Sequence, residues 1–125
     1  MPKKAATWLL ISGLMLVQTS AASERNYIKK NERFCDSDKV LCIDGTIAYE
    51  PNTRILSLRA RVQKQTGPGE IRLNFSGSNR QGSLKRTEIV MKIRGRHSEI
   101  LDRRIRPDAP DVSNWKLDSF VFNKE

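Results

Sequence analysis

Apolar and polar positions alternate with a period of two along most of the chain beyond residue 54. In 54–64, Leu56, Leu58, Ala60 and Val62 alternate with Ser57, Arg59, Arg61 and Gln63. Successive side chains of a strand point to opposite faces, so this pattern predicts a strand with one buried and one wet face. Ile71, Leu73 and Phe75 alternate with Arg72 and Asn74 in the same way. From about residue 84 to 94, Thr87, Ile89, Met91 and Ile93 form one face and Glu88, Val90, Lys92 and Arg94 the other.

Turn residues punctuate these runs. Pro51-Asn52 and Gly67-Pro68-Gly69 predict turns, and the polar stretch 76–83 predicts the most mobile loop. Asp44-Gly45 sits between 39–43 and 46–50, two short apolar-rich runs, and has the composition of a two-residue hairpin turn. Residues 99–105 fit either a short strand or a helical turn, which Pro107 and Pro110 end. The last run, 115–122, contains Phe120-Val121-Phe122, the mark of a strand buried on both faces or bulged. Trp115 is expected in the core.

Six to seven short strands, with no segment of helical period after the N-terminal run, predict an all-β fold. At this length the natural closure is a small antiparallel β-sandwich or barrel. Short turns between the first four strands predict a meander there.

The first 22 residues read differently. Lys3 and Lys4 precede an apolar run over 5–17, and the small residues Thr19-Ser20-Ala21-Ala22-Ser23 follow it. A basic start, an apolar centre and a small-residue exit predict a cleaved secretory signal peptide over 1–22. The run is shorter than the roughly 20 residues a membrane span needs, and no later run is longer, so no transmembrane segment is expected in the mature chain. The product would be periplasmic or extracellular, about 103 residues long and a single domain. Residues 23–32, polar and without period, are expected to be a flexible leader, and 33–125 the β domain.

Cys35 and Cys42 are the only cysteines. In an oxidising compartment an even count predicts a disulfide. Six intervening residues are not the CxxC spacing of redox pairs, and one histidine, His97, is too few to complete a zinc set.

Charge adds a direction. The chain carries 23 Lys and Arg against 14 Asp and Glu. Residues 54–106 hold 14 cations and 4 acids, whereas the segments on either side are mildly acidic. If the strands at 54–64, 70–76 and 84–94 share one sheet, Arg59, Arg61, Arg72, Lys92 and Arg94 form one cationic face, with Lys85 and Arg86 at its rim. Arginine holds phosphate or carboxylate through two parallel hydrogen bonds, so such a face would bind polyanions. The ordinary counterpart is a surface that is basic only to stay solvated.

Catalytic patterns are missing. His97 lies in Arg94-Gly-Arg-His-Ser-Glu99, without a nucleophile elbow, and both thiols are assigned to the bridge. Asp36-Ser-Asp38 lacks the glycine and glutamate of a calcium loop. Asn74-Phe-Ser76 is a formal glycosylation sequon. The expectation is a non-enzymatic exported domain with no metal and no cofactor. Its partner would be an anionic envelope polymer, lipid head groups or an acidic protein. Nucleic acid is disfavoured by compartment and by the scarcity of stacking aromatics. The alternative is an accessory or structural subunit of an envelope or secretion assembly, joined to its neighbour through an edge strand.

Overall fold

The computed structural model describes residues 25–125, and the expected signal peptide lies outside them. Seven strands run in chain order: β1 (Asn26–Cys35), β2 (Cys42–Glu50), β3 (Ile55–Val62), β4 (Gly69–Ser78), β5 (Leu84–Ile93), β6 (Ile100–Ile105) and β7 (Lys116–Lys124). They form two sheets, a four-stranded one in the order β1-β2-β3-β6 and a three-stranded one in the order β5-β4-β7. Every pairing is antiparallel.

The inner faces of both sheets meet in one core. Leu56, Leu58, Ala60 and Val62 of β3 face Ile71, Leu73 and Phe75 of β4 across it, all buried as their alternation predicts. β5 adds Ile89 and Ile93, β6 adds Leu101, and β7 adds Phe120 and Phe122. Trp115 is also buried there. Phe34 of β1 packs edge-to-face on Phe120 of β7 at 5.8 Å, tying the two sheets together at one margin.

Two local expectations give way. Asp44-Gly45 does not turn the chain: both residues lie inside β2, paired with Arg61 and Ala60 of β3. Gly45 serves a close approach instead, since a Cβ there would fall 2.5 Å from Cα and Cβ of Ala60. The turn between β1 and β2 is the connection 36–41, and Cys35 and Cys42, directly opposed on its flanks, are joined by a disulfide. The segment expected as a flexible leader is strand from Asn26 onward, hydrogen-bonded along β2. Register shifts between Tyr27 and Lys29 and between Lys29 and Glu32 break its alternation. That is why no period shows in the sequence.

Elsewhere the turn chemistry is explicit. The connection 36–41 is organised by Asp36, only 2% exposed, whose carboxylate accepts from the backbone N–H of Val40 (2.7 Å), Leu41 (2.8 Å) and Asp38 (3.3 Å). The polar loop after β4 is short, and the Asn79 side-chain oxygen accepts from the N–H of Gln81 and Ser83. In the connection 94–99, Glu99 accepts from the N–H of Arg94, Gly95 and Arg96. In β7 the register shift beside Asn74 leaves Asp118 as an extra residue, whereas Phe120-Val121-Phe122, where both-face burial or a bulge was expected, pairs regularly with β4.

Tyr49 is buried in the core, and burial pushes its phenol above the ordinary value, against the opposing effects of the Arg54 charge and the nearby Trp115 indole. The folded chain thus keeps this phenol neutral to a higher pH than the unfolded chain does. Its contribution to stability is intact below the ordinary tyrosine value of about 10 and is lost as pH climbs through the folded value. Denaturation is expected to show a falling midpoint as pH rises past the ordinary tyrosine value. Tyr49→Phe is expected to flatten that fall, and an equally steep fall in the variant would assign it to other groups.

Candidate functional site

The five cations expected to share a face are divided between the sheets. Arg59 and Arg61 lie on β3 in the four-stranded sheet, whereas Arg72 and Lys92 lie on β4 and β5 in the three-stranded one. Arg94 follows β5 in the exposed connection to β6. Strand alternation says which side chains of one strand are wet, but not which sheet a strand joins. The β3–β4 connection crosses from one sheet to the other, and the supposed single platform becomes two outer faces.

On the three-stranded sheet Arg72 is ion-paired, whereas among the described residues Lys85, Arg86, Lys92, Lys116 and Lys124 have no carboxylate within 4.0 Å. Arg72 is gripped by Glu88 at 2.6 Å, with Glu70 at 3.8 Å on its other side. The hydrogen bond and charge of Glu88, followed by the charge of Glu70, push this guanidinium above its ordinary value. Lys92 stands opposite Glu70 across the β4–β5 ladder. Asn74, the sequon asparagine, is only partly exposed and its amide donates to the Ser119 hydroxyl at 2.8 Å.

The four-stranded sheet adds a concavity. Its outer face is concave, with a groove of about 540 Å³ between the N-terminal half of β1 and the edge strand β6. Thr46, Ala48 and Glu50 of β2 and Ser57 and Arg59 of β3 line the floor, and Ala48 at its centre is 3% exposed. Arg25, Tyr27 and Lys30 form one wall, Asp102 and Arg104 the other. Arg25 precedes β1, and Tyr27 and Lys30 lie in its first half, where the register shifts occur. Lys30 Nζ lies 4.7 Å from the centroid of the Tyr27 ring.

Searches against protein-family models, curated proteins and solved structures found no match to this chain. The groove is therefore read on its own chemistry.

Carboxylates are present but do not consume all the cations. Asp44 is occupied by Arg33 at 2.8 Å, an interaction that raises the arginine further through its hydrogen bond and its charge. Asp102 lies 3.9 Å from Arg104 and directly across the ladder from Arg59. Among the described residues Arg25, Lys30, Arg59 and Arg61 have no carboxylate within 4.0 Å. Arg61 stands two positions along β3 from Arg59, on the same wet side.

Sequence reasoning thus reaches two members of this face and misses Arg25, Lys30, Arg104, Glu50 and Asp102. The run Asp102-Arg-Arg104 held a usable signal, since its first and third residues share a face once 99–105 is taken as a strand. Nothing in the sequence marks Arg25 or Lys30, because the bulged strand that carries them has no period. His97 is exposed, with Ser98 Oγ 3.1 Å from its Nδ1.

Proposed function

We propose that this protein is a small exported β-sandwich domain, not an enzyme, that binds an anionic partner through the concave outer face of its four-stranded sheet. The partner class is an anionic envelope polymer, lipid head groups or an acidic protein. The observation that carries this reading is the groove on the outer face of the four-stranded sheet, with unpaired cations beside it. Among the described residues Arg59 and Arg61 stand without an ion-pairing partner, and the groove has further cations on its walls. The disulfide supports the export half of the reading, since such bonds persist in oxidising compartments.

The test is binding of the protein, purified after export, to lipopolysaccharide, anionic vesicles and heparin at two salt concentrations. The variant with Arg59→Ser and Arg61→Ser is expected to lose roughly tenfold to thirtyfold in affinity, at about 1 kcal/mol per cation near an anionic surface. Its control, with Lys92→Ser and Arg94→Ser, removes equal charge from elsewhere and is expected to change little. Equal losses in both variants would mean that net charge alone acts.

A second reading rests on β5. It pairs only with β4 within its sheet, and its ten residues run without a register shift, unlike β1 and β7. A regular edge of this kind accepts an added strand from a neighbouring subunit. No binding in any arm of the salt experiment would turn attention to that edge.

A further inference from the structure

The groove's carboxylates narrow the class of anion. A surface meant for a dense polyanion gains nothing from Glu50 and Asp102 in its lining, since each repels sulfate or phosphate. A ligand that carries both a charge and hydroxyl groups uses both kinds of side chain: guanidinium for the anion, and carboxylate as acceptor for O–H donors. The groove supplies these in alternation. Across the β3–β6 ladder Arg59 faces Asp102, and Ser57 faces Arg104. On β2, Glu50 lies at the end of the same floor.

Shape points the same way. About 540 Å³ falls within the roughly 300–1,000 Å³ of sites that hold one small molecule, the bulk of two or three sugar rings. Tyr27, 48% exposed, presents a ring and a hydroxyl at the groove wall, the amphipathic surface on which sugar C–H and O–H groups both find partners.

We infer that the groove takes a short acidic oligosaccharide, its anionic group on Arg59 and Arg104 and its hydroxyls donating to Glu50 and Asp102. This rests on the reading of the face as an anion-binding surface and names the ligand class.

The two carboxylates give the deciding experiment, because charge and recognition pull in opposite directions. In the full protein, the variant with Glu50→Ala and Asp102→Ala removes both acceptors and makes the groove more cationic by two charges. A surface acting by charge alone binds any anion more tightly after that change. A sugar site loses its acceptors and binds more weakly. Calorimetric titration with trigalacturonate, with neutral maltotriose and with phosphatidylglycerol vesicles separates these outcomes, with circular dichroism and the melting midpoint confirming that the variant folds. The expected result is trigalacturonate binding at least tenfold tighter than maltotriose, a fall of about tenfold for trigalacturonate in the variant, and tighter vesicle binding by the same variant. Trigalacturonate bound equally or more tightly by the variant would overturn the oligosaccharide assignment, as would equal binding of the neutral and charged trisaccharides. Salt-sensitive vesicle binding that needs Arg59 and Arg61, with no trisaccharide binding, would overturn the assignment and leave the anion-binding face standing. No binding to any probe would bring down both.

Discussion

Gly45→Ala is expected to be strongly destabilising. Cross-strand neighbours ordinarily hold their Cβ atoms about 4.5–5.5 Å apart. A Cβ on Gly45 would sit 2.5 Å from Cβ and Cα of Ala60, and closer still to the Arg59 carbonyl oxygen. All three atoms are backbone or fixed to it, so relief requires β2 and β3 to separate, and both are central to the four-stranded sheet. Overpacking of this kind costs about 3 kcal/mol, which for a domain of this size lowers the melting midpoint by more than roughly 10 °C. Gly82→Ala is the companion measurement. That residue has positive φ but nothing within 4 Å of an added methyl, so only backbone strain of about 1 kcal/mol is expected. Equal shifts in the two variants would show that β2 and β3 are not so close at Gly45. A Gly45→Asn variant as stable as the parent would restore the hairpin that Asp44-Gly45 resembles.

The second large effect is expected at Asp36. Its carboxylate is buried and accepts three backbone N–H groups, including that of fully buried Leu41. Hydrogen bonds to a charged acceptor contribute about 1.5–3 kcal/mol each, and a donor left unpaired in the interior adds its own desolvation cost. Asp36→Ala is therefore expected to lower stability by about 3 kcal/mol in urea denaturation of the oxidised protein. Asp36→Asn keeps one oxygen for Val40 and Leu41 and is expected to recover about half. An alanine variant with the parental midpoint would mean that the disulfide alone holds the turn. The bridge closes a short loop, and about 2–3 kcal/mol is its expected share. Because both devices act on the same short connection, their losses are not additive.

What the sequence made legible follows from how each strand is buried. Over 55–62, 69–75 and 87–93, β3, β4 and β5 each keep one face in the core, so their period of two survives there and their inward residues are those that alternation selects. The disulfide and the core position of Trp115 were legible too, from compartment and from size. β1 was not, because two register shifts scramble its period and most of its length is exposed. Asp44-Gly45 misled because glycine answers two needs, a turn and a close approach of neighbouring backbone, and composition does not tell them apart. Half of the candidate site was hidden for a different reason. Arg59 and Arg61 were found on one strand, but their neighbours come from the irregular β1 and from β6, which returns to the sheet only after two crossings.

Those crossings also order the assembly of the molecule. Of the six connections, the third, fifth and sixth pass between the sheets, so the chain leaves the four-stranded sheet after β3 and returns to it only with β6. A chain emerging from its N-terminus can pair β1, β2 and β3 and close the disulfide early, all from near neighbours in sequence. It then holds the floor and one wall of the groove. The opposite wall, with Asp102 and Arg104, arrives only after β4 and β5 have been laid over the core and the chain has come back. The groove is thus complete only when the topology is: a chain arrested after β3 leaves Arg59 on an open sheet, and the return of β6 supplies the second wall.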